Sequence, residues 1–217
     1  MANISTEDYI KTIYRLECRR EKATTSGLAA QLGVADASIT DMIKKLSDKG
    51  LLLYEPYQGV ELTAKGRKMA LSIVRRHRLW EMYLVTFLGF SWDQVHDEAE
   101  RLEHVTSAEL EASLDRALGY PASDPHGDPI PRVDGKLDRQ ELTALTECSP
   151  GDVVRVQRVS DDDPQMLQHA TTLGLELNKK LTVKEKRKFD GSMIVKVGTK
   201  ERFISVQMAQ VIFVRQT

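Results

Sequence analysis

The sequence predicts a mainly α-helical protein with a smaller β part: an N-terminal winged helix-turn-helix, a helical middle segment and a C-terminal SH3-like β-barrel. Three observations lead to this fold class. Helical patterns and a hairpin fill the first 62 residues, long amphipathic patterns follow, and short runs rich in β-branched residues end the chain. A length of 217 residues suits one large domain or two to three small ones. We expect their boundaries at 1–72, 73–140 and 141–217.

The first three helices are predicted from their caps and apolar stripes. Residues 5–8, Ser-Thr-Glu-Asp, combine a capping hydroxyl with first-turn acids, and the apolar stripe behind them runs to about residue 21. A Thr-Thr-Ser cap at 24–26 begins a second, short helix. A third helix covers residue 36 to about 49, because Gly50 is a typical helix stop.

Residues 51–62 form two strand-like runs around a turn with proline and glycine, which predicts a β-hairpin before a long helix to about residue 88. In a winged helix-turn-helix the third helix enters the major groove and the hairpin touches the backbone, so we expect double-stranded DNA as a partner. A small helical domain without a DNA role is the alternative. The residues expected to face DNA are Thr25, Ser26, Ser38, Thr40, Asp41, Lys44, Lys45 and, in the wing, Tyr57.

The middle and last segments follow from the same patterns. After the long helix we expect another from residue 91 to about 119. The apolar faces of these two helices are too large for a small unit, which predicts a homodimer interface. Residues 120–140 hold four of the seven prolines and predict a linker or an irregular loop. Beyond it we expect a helix over 163–173 and five strands at 153–156, 181–183, 193–197, 203–206 and 211–214.

Composition excludes several classes of protein. No apolar run approaches the ~18 residues that a membrane span needs, so we expect no membrane partner. The N-terminal residues MANISTEDYIKTIY lack the basic and apolar regions of a signal peptide, which predicts a cytoplasmic location. The two cysteines, Cys18 and Cys148, exclude a disulfide framework and a cysteine-rich zinc site.

Charge is distributed unevenly along the chain. The formal net charge of −1 hides a segment, residues 73–140, with 8 Lys and Arg against 13 Asp and Glu. Residues 1–72 carry 11 basic against 9 acidic side chains, and four of the five histidines lie in the acidic middle. Interleaved acids and histidines favour a cation site over a phosphate site.

The spacing of these side chains sharpens that prediction. His96, Glu100, Glu103 and His104 fall at i, i+4, i+7 and i+8, so a helix would place them on one face. His77 and Glu81 are also four residues apart. Any one of these residues is explained by a solvated charged helix, but the whole set predicts binding of a divalent metal.

Three segments carry a resemblance to a known family. RHRLWEMYL at 76–84, VHDEAERLEHVTS at 95–107 and PHGDPIP at 125–131 resemble the diphtheria toxin repressor family of metal-dependent repressors. The resemblance covers nearly the whole chain. It implies a primary metal site made of Asp8, Glu100, Glu103 and His104.

The resemblance also implies which metal is bound. Iron-responsive members of the family place Met at the position of Asp8 and Cys at that of Glu100, whereas manganese-responsive members place Asp and Glu there. Because oxygen ligands suit Mn²⁺ and sulfur favours softer metals, we expect Mn²⁺, with Fe²⁺ as the alternative.

A second metal site is implied less directly. Its ligand candidates are the family's ancillary positions, a carboxylate of the SH3-like domain and a pair in the Pro/Gly loop: His77, Glu81, His96, Asp163, Asp124 and His126. Met166 replaces a glutamine ligand of some members, which weakens one version of this site. Lys11 replaces a glutamate of another manganese branch, so we do not expect the binuclear cluster of that branch.

The function implied is a Mn²⁺-activated repressor of metal-uptake genes that binds a pseudo-palindromic operator as a dimer. The alternative within the family is a Fe²⁺-responsive repressor. Outside it, a metallohydrolase would need an open coordination position and a substrate pocket, and nothing in the sequence indicates either. A winged-helix protein that answers to a small organic ligand or a protein partner is the third alternative.

Overall fold

The computed structural model describes residues 6–55, 59–138 and 140–217. The chain divides into two compact units. The first comprises residues 1–77 with 102–106 and 131–137, and the second comprises 78–101, 107–130 and 138–217. The division falls inside two helices, after His77 and after Arg101, so each unit is described separately.

The first unit contains the predicted winged helix-turn-helix. Its elements are α1 (Thr6–Cys18), α2 (Thr25–Leu32), α3 (Asp36–Asp48), β1 (Leu52–Glu55), β2 (Gly59–Leu62) and the start of α4 (Ala64–Leu88). The strands pair antiparallel, with Leu52 opposite Leu62. Ile10, Leu28 and Ile39 come from α1, α2 and α3, and all are fully buried in one core. Since each helix contributes its apolar stripe to that core, the three-helix packing is confirmed.

Two local features fix the helix-turn-helix. The Thr24 hydroxyl accepts a hydrogen bond from the Gly27 backbone N–H at 3.1 Å and caps α2. Gly33 ends α2 in the left-handed region, with φ of 64°, where a side chain would be strained. The chain can then turn directly into α3, whose exposed face carries the residues expected to meet DNA.

The second unit begins with the rest of α4 and has two further helices, α5 (Val95–Glu103) and α6 (Ala108–Ala117). The prediction of one helix over 91–119 was therefore wrong. The Thr106 hydroxyl donates to the Leu102 carbonyl at 2.7 Å, and Ser107 caps α6 by accepting from the Leu110 N–H at 3.2 Å. Because Ser107 caps the start of a new helix, the chain does not continue as one helix, and α5 ends at Glu103, just before His104.

The C-terminal part of the second unit is an antiparallel sheet of SH3-like type. Within the described residues its strand order is β3-β8-β4-β5-β6-β7, one strand more than predicted. Val154, Leu181 and Val195 lie in its buried core. The elements are β3 (Thr143–Ala144), β4 (Val153–Val159), α7 (Pro164–Leu173), β5 (Lys180–Lys186), β6 (Met193–Val197), β7 (Lys200–Ile204), α8 (Val206–Gln210) and β8 (Ile212–Gln216).

The Pro/Gly loop of the second unit is held against β4. The Val159 N–H donates to the His126 carbonyl at 2.9 Å. Gly127 has φ of 92°, and a Cβ there would lie 2.0 Å from the Gln157 carbonyl oxygen, so only glycine permits this close approach. Of the two predicted alternatives, these residues therefore form an irregular loop, and the loop is a fixed part of the fold. No helix among the described residues is long and apolar enough to cross a membrane.

Candidate metal centre and DNA-binding face

Three residues of the predicted primary site come together in the first unit. Asp8 lies in the first turn of α1, Glu103 is the last residue of α5, and His104 follows it. The His104 Nε2 atom is 2.8 Å from Asp8 Oδ1 and 3.6 Å from Glu103 Oε1. One ligand atom from each residue lies within 4.8 Å of the others, so the group can hold a single cation.

A neighbouring acid fixes the orientation of His104. Its Nδ1 atom is 2.8 Å from the Glu7 Oε2 atom, and Arg76 pairs with the same carboxylate at 3.0 Å. Burial alone would raise the pKa of Glu7, but the hydrogen bonds from His104 and Arg76 hold it below its ordinary value. An ionised Glu7 accepts a hydrogen bond from the Nδ1–H group of His104. The lone pair on Nε2 then faces Asp8 and Glu103. Metal-binding histidines are commonly held in this way by a carboxylate.

Glu103 is completely buried and has charged neighbours of its own. Lys11 Nζ lies 2.8 Å from its Oε1 and 2.6 Å from its Oε2. The His77 Nδ1 atom lies 2.5 Å from Oε2. Both carboxylate oxygens of Glu103 therefore have hydrogen-bonding partners within the first unit. His77 was predicted as a ligand of the second site, but its Nδ1 atom contacts Glu103.

Glu100, the fourth predicted ligand, belongs to the second unit. It precedes Glu103 by three residues on α5. Within its own unit Glu100 Oε2 lies 3.8 Å from His96 Nε2.

A second acidic cluster is formed by Glu81, Asp124 and His126 in the second unit. All three side chains are buried, and one ligand atom from each lies within 4.8 Å of the others. Glu81 comes from α4 and the other two from the Pro/Gly loop. His126 Nδ1 is 3.9 Å from Glu81 Oε2 and 3.9 Å from Asp124 Oδ1.

The hydrogen bonding of His126 favours a cation in this cluster. Its Nε2 atom donates to the Trp92 carbonyl at 2.6 Å, and the Trp92 ring stacks on the imidazole. The Nδ1 atom is buried and has no hydrogen-bond partner among the described residues. In the neutral ring Nδ1 then presents a lone pair to two carboxylates, an arrangement that a metal ion would satisfy.

The charge state of the second cluster supports this interpretation. Burial and the nearby Glu81 carboxylate raise the pKa of Asp124 to about 7, although Arg78 opposes them at 3.3 Å. Burial would lower the pKa of His126, but Glu81 and Asp124 raise it overall. Buried like charges without a full complement of cations are costly, and a divalent ion would offset that cost.

The structure shows another role for one predicted ligand of the second site. Asp163 Oδ1 accepts a hydrogen bond from the Gln165 N–H at 2.8 Å, which makes Asp163 the N-cap of α7. The carboxylate grouped with Glu81 and His96 is that of Asp161, whose Oδ2 lies 4.0 Å from His96 Nδ1. An aspartate that caps a helix uses its own side chain for the cap, and it is Asp161, two positions earlier, that lies beside Glu81 and His96.

Several residues around these clusters were not singled out from the sequence. Glu7 stood out only as a first-turn acid, and Asp161 is one of three successive acids that end at Asp163. Trp92 contributes a backbone carbonyl, which no sequence pattern reveals. Arg78 pairs with both Asp124 and Asp128, each at 3.3 Å.

The predicted DNA-binding residues lie mostly at the surface of the first unit. On α3, Ser38, Asp41, Lys44 and Lys45 are exposed. Thr40 is half-buried, and its hydroxyl donates to the Asp36 carbonyl at 3.1 Å. At the start of α2, Ser26 is exposed and Thr25 is half-buried, and Tyr57 lies outside the described residues.

Comparison with known proteins matches three family descriptions to successive parts of the chain. They are "Iron dependent repressor, N-terminal DNA binding domain" at residues 1–60, "Iron dependent repressor, metal binding and dimerisation domain" at 63–132, and "FeoA domain" at 143–216. The iron-dependent repressor IdeR of Mycobacterium leprae is 32% identical over 191 residues, which cover 82% of this chain and 83% of the relative.

The chain belongs to the iron-dependent, or diphtheria toxin, repressor family. It is therefore a metal-dependent, DNA-binding transcriptional repressor rather than an enzyme. The metallohydrolase alternative is thereby excluded, and the predicted fold class is confirmed.

Solved structures of this repressor family add a second set of similarities. A manganese-dependent transcriptional repressor in complex with manganese superposes with a TM-score of 0.89 at 39% identity, covering 98% of this chain and 100% of that one. The manganese regulator SloR superposes with a TM-score of 0.79 at 31% identity, covering 98% and 99% of the two chains. The name of the Mycobacterium leprae relative thus refers to iron, and the names of these two structures refer to manganese.

Proposed function

We propose that this repressor is activated by Mn²⁺, bound at a primary site formed by Asp8, Glu103, His104 and Glu100. The observation that carries the proposal is the donor set. Asp8, Glu103 and His104 converge with three hard or borderline donors and no sulfur, and Glu100 would add a further oxygen. Carboxylate oxygens with an imidazole nitrogen suit Mn²⁺, and the similarity to manganese-dependent repressors agrees with this choice.

The residues of the first unit explain how a metal would act as a switch. Asp8 is on α1 of the winged helix-turn-helix, whereas Glu103 and His104 end α5. Two carboxylates and a histidine lone pair repel one another unless a cation lies between them. A bound ion would hold α1 against the end of α5.

We further propose a second site made of Glu81, Asp124 and His126, with His96 and Asp161 beside them. The buried Nδ1 of His126 and the raised pKa of Asp124 support it. Asp163 is replaced by Asp161 for the reason given above. His77 remains a candidate through its other ring nitrogen, Nε2.

For the DNA partner, we propose that a homodimer binds a pseudo-palindromic operator upstream of metal-uptake genes in the cytoplasm. Two recognition helices related by a two-fold axis would read two half-sites. In the second unit, Phe87, Leu88 and Leu110 are 53%, 57% and 42% exposed, an apolar surface suited to a dimer contact. Sedimentation of Phe87→Glu should show a shift to monomer, with Leu53→Glu, an exposed wing position, as the control.

The choice of Mn²⁺ over Fe²⁺ is tested by changing ligand softness. The double variant Asp8→Met, Glu100→Cys should shift metal-dependent operator binding toward Fe²⁺ under anaerobic conditions, because sulfur ligands suit Fe²⁺ better than Mn²⁺. An unchanged metal preference would contradict the assignment. Glu98→Cys, on the same helix, controls for the added thiol.

A further inference from the structure

Lys11 is buried beside the primary site although none of the proposed metal contacts uses it. It lies on α1, three residues after Asp8, and is only 2% exposed. Its ammonium contacts both oxygens of Glu103 at 2.8 and 2.6 Å and lies 3.2 Å from His77 Nδ1. A fully buried lysine is rare unless it is paired, so this ion pair is a specific feature of the site.

The contacts of Glu103 place the ammonium and a metal in competition. A metal held by Asp8 and His104 would bind Glu103 through Oε1, which lies 3.6 Å from His104 Nε2 and 2.8 Å from Lys11 Nζ. The same carboxylate charge therefore serves either the ammonium or the metal. In addition, a fixed positive charge close to a cation site weakens binding of that cation.

We propose that Lys11 is a resident counter-cation that keeps Glu103 in place in the metal-free protein and sets the metal concentration at which the repressor responds. This inference rests on the proposed primary site. Lys11 is a positioning residue and does not itself bind metal. Its removal would leave Glu103 buried beside His77 without its ammonium, a less stable metal-free state that gains more from binding Mn²⁺.

The test is Lys11→Met in the full chain, which keeps the length of the side chain and removes its charge. We expect a lower unfolding temperature in chelator together with at least tenfold tighter Mn²⁺ binding, measured by calorimetry. A merely structural role would weaken both properties together. Weaker or unchanged Mn²⁺ binding in Lys11→Met would overturn the proposal. Lys22→Met, at an exposed position of the same unit, is the matched control.

A measurement on the unchanged protein guards against misfolding of the variant. In the metal-free protein the Lys11 ammonium should give a slowly exchanging ¹⁵N resonance, which should shift when diamagnetic Cd²⁺ is added. Rapid exchange in the metal-free protein, or a resonance that does not respond to Cd²⁺, would overturn the proposal. Failure of the primary site itself would appear separately, as Mn²⁺ binding of wild type that Asp8→Asn does not change.

Discussion

His104 and His126 are held by the same arrangement although they lie in different units. One ring nitrogen of each is fixed by a hydrogen bond, to Glu7 at 2.8 Å and to the Trp92 carbonyl at 2.6 Å. The other nitrogen faces carboxylates. Fixing the tautomer before a metal arrives lowers the ordering needed on binding, so the residues behind the ligands matter almost as much as the ligands.

Glu7→Gln tests this at the primary site. The amide cannot match the ionised carboxylate as an acceptor for His104 Nδ1 and loses the ion pair with Arg76. We expect Mn²⁺ binding weakened by about 10- to 100-fold, with little change in fold. Titration calorimetry beside circular dichroism measures both. Glu21→Gln, an exposed change in the same unit, should bind as wild type does, and equal affinity in Glu7→Gln would contradict the orienting role.

Asp124 predicts a pH dependence of the metal-free protein. Its pKa rises from 3.8 to about 7 on folding, so the folded state binds the proton more tightly than the unfolded state. Stability from this group is then lost as pH rises from about 4 to 7, since ionisation is costly only in the fold. In Asp124→Asn this loss disappears.

Chemical unfolding in chelator at pH 5 and 8 measures the effect. The stability of Asp124→Asn relative to wild type should increase between these values by on the order of 2 kcal/mol. Asp134→Asn, whose carboxylate is at the surface, should show no such increase. A difference that is constant with pH would contradict burial of an ionisable Asp124.

At the level of elements, the sequence predicted α1 to α4 and the wing closely, because each has a cap, an apolar stripe and a stop. It failed between residues 104 and 107, where apolar periodicity continues but Ser107 starts a new helix. It also left open whether residues 120–140 are a linker or an irregular loop. The contacts that fix this loop include a backbone hydrogen bond to β4 and the close approach of Gly127 to β4, for which side-chain patterns give no signal.

The sequence also indicated part of the candidate metal site and missed other parts of it. Spacing along one helix brought out Glu100, Glu103 and His104, and the family resemblance supplied Asp8. Spacing could not distinguish Asp161 from Asp163, because a run of three acids does not show which one caps α7. The role of Lys11 was also hidden, since burial depends on packing between α1 and the end of α5.

Gly127→Ala tests the role of the loop. A Cβ at 2.0 Å from the Gln157 carbonyl would push the loop off β4 and move Asp124 and His126 apart. By titration calorimetry, we expect Gly127→Ala to lose the Mn²⁺-binding event of the second site, whichever affinity it has. The binding event of the primary site should be retained. Gly119→Ala has a similar φ of 73° but nothing within 4 Å, so it separates backbone strain from the clash. Two retained binding events in Gly127→Ala would contradict a site built on this loop.

For the whole molecule, a net charge of −1 would by itself disfavour a nucleic-acid partner, because DNA-binding proteins usually carry a basic surface. Four of the 13 acids of residues 73–140 belong to the two clusters, where a bound cation would offset part of the charge: Glu81, Glu100, Glu103 and Asp124. The division into two compact units places α1 and the end of α5 together. The boundaries 1–72, 73–140 and 141–217 remain our proposal for how DNA binding, metal binding with dimerisation, and the SH3-like fold are divided along the chain.

Operator binding as a function of Mn²⁺ tests the central claim most directly. A duplex selected from a random library in Mn²⁺ serves as the operator, and fluorescence anisotropy is recorded with wild type, His104→Ala and the exposed control His169→Ala. Wild type and His169→Ala should bind at least 100-fold more tightly in Mn²⁺ than in chelator, while His104→Ala should bind weakly in both. Tight, sequence-specific binding by wild type in chelator, or Mn²⁺-activated binding by His104→Ala equal to that of wild type, would contradict the account.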